Sequence, residues 1–219
     1  MGTLPLDRFP VLRTKEPAEF RAAVSTYMGE HPIEVVEVTP GLDVTINGRL
    51  IDRAAVSYVA LGAEARTEPY ELGCYLVQTV VTGACLVQQD DQQTAARAGD
   101  TVVLSPQRSV RSQWTADCGV VAYVLRESQV TSHLSRLLGR PVTRPLRFDL
   151  VTDRGSAIVR AFVQGLLRPL TRQLNRDRSL FDQPVVARRV EDTLITGLLR
   201  AQPNSYSDAL EQELGRLRT

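Results

Sequence analysis

The sequence predicts an α+β protein: an antiparallel β-barrel followed by a C-terminal helical subdomain. Three observations carry this. Residues 33–126 break into roughly eight or nine short β-rich runs separated by turn residues, the spacing of a β-sandwich or barrel. After Arg126 no such run occurs, and apolar residues recur with helical period instead. The stretch Gln88–Pro106 (QQDDQQTAARAGDTVVLSP) reads as strand, polar turn, strand, Gly99-Asp100 corner, strand, the way an antiparallel sheet folds on itself.

Taken in order, Met1–Thr14 holds Pro5 and Pro10 without periodicity and reads as an arm. Glu16–Met28 places Phe20, Val24 and Met28 on one helical face, stopped by Gly29 and Pro32. Ile33–Val38 and Asp43–Asn47 read as strands, with Asn47-Gly48 as the strongest short hairpin signal. Leu50–Leu61 reads as one strand bent near Arg53, and Tyr70–Thr82 as a strand ended by Gly83. Ser109–Trp114 and Gly119–Leu125 complete the barrel. Tyr75–Val81 and Val120–Leu125 are apolar on both faces, so one face lines the barrel and the other needs a cover.

The helices supply that cover. Glu127–Leu138 is amphipathic through Val130, Leu134, Leu137 and Leu138, with Gly139 as terminator. Pro141–Leu150 is an extended connector. Ser156–Gln173 carries a stripe including Ile158, Phe162 and Leu166, and Pro169 is expected to kink or end it. Pro184 opens a further helix striped by Val190, Leu194 and Leu198. The two stripes are wide, so they pack on each other or on the same pair in a second subunit. Ser207–Arg218 is short for an independent helix and needs a partner.

Composition narrows the class. The 219 residues are 43% hydrophobic and 23% charged, ordinary for a globular chain. No run is long and apolar enough to span a membrane, and Met1–Pro10 has no secretory pattern, so a cytoplasmic location is expected. Up to Ser135 there are 11 Lys+Arg against 16 Asp+Glu; from Arg136 there are 15 against 9. The later arginines are dispersed along helices, the pattern of a solvated face more than of a nucleic-acid footprint. Cys74, Cys85 and Cys118, odd in number and widely spaced, read as reduced buried thiols.

The search for chemistry returns little. His31 and His133 are the two histidines, and 33–125 contains none, against the converging imidazoles of a transition-metal site. No zinc-protease, nucleophile-elbow or P-loop motif occurs. Neither a metal nor a cofactor is expected. The Asp90-Asp91 pair sits at a turn tip, where solvation explains it. What remains is a lined cavity for a small-molecule effector. Arg53, Tyr58, Tyr75, Val77, Thr79, Arg111 and Trp114 are the candidate ligand contacts, with Gln78 nearby. Tyr75, Val77, Thr79 and Val81 share one face and Cys74, Leu76, Gln78 and Val80 the other; which one faces inward is open.

The run Tyr75–Gly83, then Val87–Asp91, then Ala98–Pro106 resembles the cupin-type effector-binding domain of AraC/XylS-type transcription regulators: a strand ending in Gly, a polar hairpin, a Gly-Asp turn and an apolar strand ending near Pro. Leu134–Leu146 and Leu198–Tyr206 resemble that family's helical tail. Metal-binding cupins carry a His-x-His motif after a glycine, whereas here Gly83 precedes Ala84-Cys85-Leu86. The resemblance implies an arm and short helix at 1–32, a cupin-like sensing barrel at 33–126, a helical dimerisation region at 127–206, and at 207–219 the start of a linker to a DNA-binding domain that this sequence lacks. It implies a non-enzymatic, ligand-sensing homodimer, its interface drawn from Ile158, Phe162, Leu166, Val190, Leu194 and Leu198, with DNA reached only through the absent helix-turn-helix domain. The alternatives are a cupin-fold enzyme, including a metal-independent one, and a bare oligomerisation or protein-interaction module.

Overall fold

The computed structural model describes residues 3–28 and 35–217; His31, Ile33 and Glu34 lie outside them. Among the described residues, twelve strands form two antiparallel sheets that pack face to face. The first sheet has the order β1 (Pro10–Thr14), β3 (Val44–Ile51), β4 (Ala54–Ala60), β12 (Gly119–Arg126), β7 (Cys74–Thr82) and β10 (Thr101–Leu104). The second has β2 (Val35–Thr39), β5 (Glu64–Thr67), β11 (Ser109–Trp114), β8 (Ala84–Gln89) and β9 (Gln92–Arg97), with β6 (Tyr70–Glu71) on β11. Helix α1 (Pro17–Met28) joins this barrel. The helical layer is α2 (Glu127–Leu138), a continuous segment of α3 (Ala157–Arg160), a π turn (Ala161–Leu167) and α4 (Arg168–Leu174), then α5 (Pro184–Ala201) and α6 (Ser207–Leu217).

The doubly apolar strands explain the layering. In β7 and β12, Cys74, Leu76, Val80, Val120, Ala122 and Val124 face the second sheet. Tyr75, Val77, Val121, Tyr123 and Leu125 face the helices and join the largest core cluster. A buried tyrosine needs a partner for its hydroxyl, and both find one in the helical layer. Tyr75 Oη donates to Leu146 O (2.9 Å) and Tyr123 Oη to Leu167 O (2.6 Å). The Tyr75 and Phe148 rings meet edge-on, centroids 5.5 Å apart. Glu191 of α5 accepts the backbone N–H groups of Arg53 and Ala54 (2.9 and 3.0 Å) in the β3–β4 turn and the side-chain amide of Gln129 of α2 (2.6 Å).

Several local expectations shift. Residues 10–14 are not part of a formless arm; they pair with β3 as an edge strand. Asn47-Gly48 is not a turn: β3 runs through it and the hairpin falls at Asp52, in the left-handed region at φ 51°. Asn47 instead grips the N-terminal segment, donating to Pro5 O (2.9 Å) and accepting from Arg13 (2.7 Å), while a Cβ on Gly48 would crowd Val56 O at 3.2 Å. Pro169 does not end its helix. The preceding π turn widens the backbone just before the residue that cannot donate, and the helix continues to Leu174. Gly139 closes α2 in the left-handed conformation as expected. The partner that α6 requires is within the chain: Leu210 is buried in the helical core and α6 packs on α2 and α5.

Of the residues expected at a subunit interface, Phe162, Leu194 and Leu198 are buried in the chain's own core, because the two striped helices pack on each other. Ile158 is half exposed, and Leu166 and Val190 are partly so. Gly197 permits the close approach, since a Cβ there would meet the Phe162 ring at 2.8 Å.

Candidate functional site

Between the two sheets the core is not fully closed. A cavity of about 90 Å³ runs through it, with an almost wholly apolar wall. The first sheet contributes Ile46, Val59, Leu76, Gln78, Val120 and Ala122; the second contributes Thr67, Val87, Val110, Ser112 and Trp114. Phe20, Ala23 and Val24 of α1 complete the lining. Alternation puts them there: every second residue of β7, β11 and β12 points inward.

Two polar features stand out in this wall. Ser112 sits at the centre of a small network. Its N–H donates to Thr67 Oγ1 (2.9 Å), its Oγ lies 3.4 Å from the same oxygen, and it accepts from Trp114 Nε1 (3.1 Å). The phenol of Tyr70, also on the wall, has its pKa raised by burial and lies beside Ser112, so it is a neutral donor. Gln78 is different. Its side chain is 6% exposed, it faces the cavity, and no side-chain hydrogen bond engages its amide among the described residues. That amide is a donor and acceptor open to whatever fills the cavity. The arrangement therefore offers an apolar slot with one unspent donor–acceptor group on one wall and a hydroxyl network on the other.

The sequence pattern of the AraC-binding-like domain matches residues 20–200, which include both sheets and most of the helical layer. The chain belongs to the AraC-binding-like domain family. Among solved structures it is similar to the AraC-like transcriptional activator CuxR, at 12% identity and a TM-score of 0.54, covering 89% of this chain and 71% of that one. KdgF from Halomonas sp. is similar over 44% of this chain and 91% of its own, at 17% identity and a TM-score of 0.35. At such identities the likeness is one of fold. No curated protein matches the sequence.

Within this AraC-binding-like domain, the residues expected around a ligand are spread over three surfaces. Trp114 lies on the cavity wall. Tyr58, Tyr75, Val77 and Thr79 lie on the opposite face of the first sheet, a correction that follows from parity: Gln78, between Val77 and Thr79, is the inward residue. Tyr58 packs under the helices near Thr82, and Thr79 pairs with Thr101 across β7–β10 (2.9 Å). Arg53 is exposed at the β3–β4 turn, beside Asp52. Arg111 projects outward from β11, opposite Gln88, into a shallow polar recess outside the barrel. Gln78 is the residue to which sequence reasoning gave too little weight. The one mark it carries in the sequence is a polar side chain on the otherwise apolar Cys74–Leu76–Val80 face, which does not say which face turns inward.

The three cysteines are free and buried. Burial pushes the Cys74 thiol up to about 12, far from thiolate chemistry at neutral pH. His133 is a packing residue between α2 and α5. Its Nδ1 lies 3.0 Å from Asp192 Oδ1 and its Nε2 2.7 Å from Thr196 Oγ1. Among the described residues, no group of three or more His, Cys, Asp or Glu side chains converges as a metal site would require. Asp90, expected to be merely solvated, ties the β8–β9 turn to β11 through Arg108 and the Ser109 N–H.

Proposed function

We propose that this chain is the effector-binding domain of an AraC-type transcription regulator, and that its effector is a small, mostly apolar molecule with one hydrogen-bonding group, held between the sheets without catalysis. The observation that carries this is Gln78, whose amide lines an apolar cavity and has no hydrogen-bond partner among the described residues. A ligand group that pairs with it gains a hydrogen bond in an apolar surround, and one that cannot leaves the amide unpaired, which makes the pairing selective. The family match supports the assignment to a regulator.

Size sets the mechanism. An apolar cavity of roughly 150 Å³ accepts benzene, and this one measures about 90 Å³. Any larger effector must move α1, whose Phe20 and Val24 sit against Leu42, Val44, Ile46 and Leu61. Binding that favours one position of α1 then biases the rest of the regulator. Dimerisation would use what the intrachain packing leaves accessible, Ile158 and Leu166 along the α3–α5 cleft, and DNA would be reached through a separate domain.

Trp114 is the only tryptophan and lies on the cavity wall, so its emission reports occupancy directly. A panel of small alcohols, amides and aromatic acids is titrated against the protein and against Gln78→Leu. A hit is expected to shift Trp114 emission, raise the melting temperature and weaken at least tenfold in the variant. No shift across the panel would favour a packed oligomerisation module, for which the small cavity volume speaks.

A further inference from the structure

A second and roomier cleft lies on the other face of the first sheet. Its volume is about 480 Å³, against about 90 Å³ for the barrel cavity, and small-molecule sites run to roughly 300–1,000 Å³. Three elements bound it: the segment Thr3–Leu6, the outward side chains Thr79, Val81, Val121 and Tyr123, and α4 with the turn before it. The floor is apolar, from Leu4, Val81, Val121 and Leu167. The hydroxyl of Tyr123 is already committed to Leu167 O.

The rim is cationic. Arg168 and Arg172 both line the cleft, four residues apart and so on the same side of the helix. No ion pair or hydrogen bond engages either guanidinium among the described residues. A third, Arg154, is neutralised by Asp100. Gly99 sits at the same rim with φ 93°, and a Cβ there would lie 3.7 Å from Nη2 of both Arg154 and Arg168. The bare Gly99 corner thus leaves the approach to the guanidiniums open. The opposite wall is fixed. Asn47 holds Pro5 O, Asn175 Oδ1 accepts the N–H of Arg8 (3.2 Å), and Asn175 Nδ2 donates to Asp7 (2.8 Å). Leu6 is fully buried behind them.

An apolar floor under two unpaired guanidiniums matches one kind of molecule. We propose that this cleft is a binding site, separate from the barrel cavity, for a small amphipathic carboxylate whose chain lies over Val81 and Val121 and whose carboxylate is taken by Arg168 and Arg172. Charge-assisted bonds from guanidinium to carboxylate are the strong ones, and two guanidiniums on one carboxylate add geometric selectivity. An alcohol of the same chain length fills the floor and leaves the arginines unpaired.

Octanoate and 1-octanol are the probes, with calorimetry on the whole chain. Octanoate is expected to bind at least tenfold more tightly than 1-octanol. The double variant Arg168→Gln/Arg172→Gln, both positions exposed and therefore expected to keep the parent melting temperature, is expected to bring octanoate down to the octanol level. Val81→Trp, which fills the floor, is expected to abolish both, while Gln78→Leu leaves octanoate binding unchanged. The proposal is overturned if octanoate does not bind at millimolar concentration, if the alcohol binds equally well, or if binding survives the double arginine variant and is lost in Gln78→Leu. That last result would place the carboxylate in the barrel instead.

Discussion

Glu191 fastens α5 to the barrel, and its removal gives a quantitative test of the layered architecture. One carboxylate oxygen accepts two backbone N–H groups of the β3–β4 turn and the other accepts the Gln129 amide. Glu191→Ala strands these three donors, of which the Ala54 N–H and the Gln129 amide are buried. Each buried unsatisfied donor costs about 1–3 kcal/mol. Burial also raises the Glu191 pKa, so the ionised group is held at a cost that alanine relieves. A net loss of about 2–4 kcal/mol is expected, which for a chain of this size is a fall in Tm of roughly 4–16 °C. Glu191→Gln behaves differently. Its carbonyl keeps the two backbone bonds, and its NH2 reaches Gln129, whose Oε1 lacks a partner as it stands. The sign with pH follows. A carboxyl whose folded pKa is raised binds its proton more tightly when folded, so it lowers stability as pH rises above the unfolded value of about 4.3 and through the folded one. The Tm of Glu191→Gln relative to the parent is therefore expected to rise over that window and then level off. Calorimetric melts of the three proteins from pH 4 to 8 decide it. Equal Tm values for Ala and Gln at neutral pH, or an alanine variant within a degree of the parent, would refute the role assigned to Glu191.

Gln78→Leu replaces a polar side chain on an apolar wall and is expected to leave the ligand-free protein as stable as the parent or to stabilise it by up to about 1 kcal/mol, read by urea midpoint. Gly197→Ala drives a methyl into the Phe162 ring and is expected to cost about 1–3 kcal/mol. Gly165→Ala, which meets no atom within 4 Å, is expected to be neutral or stabilising by up to about 1 kcal/mol; if both glycine variants behave alike, the helix pair is packed otherwise. The pKa of His133 is lowered by burial and by Arg136, against Asp192. The unfolded chain therefore binds the proton more tightly, and stability is expected to fall as pH drops below about 6.5 until the folded pKa is passed. His133→Asn should flatten that part of the profile in urea titrations between pH 5 and 7.5.

Residue order by itself determined the element types and the fold class, because period and turn chemistry are local properties. The two-faced apolar strands β7 and β12 required a third layer, the helical stripes supplied it, and the Gly99-Asp100 corner forms with Asp100 capping the Arg97 N–H (2.9 Å). Local signals failed where a distant partner competed. Asn47-Gly48 reads as a hairpin until Pro5 and Arg13 claim the asparagine, and Pro169 reads as a stop until the π turn makes room for it. Tertiary structure alone decided which face of β7 looks inward. Parity is set by a single residue of register, and Tyr75–Val77–Thr79 and Leu76–Gln78–Val80 are apolar enough to serve either way. Docking the helices on Tyr75 and Tyr123 satisfied two buried hydroxyls at once, turned Gln78 into the cavity, and left Arg168 and Arg172 without partners among the described residues, over a cleft that no sequence pattern had marked.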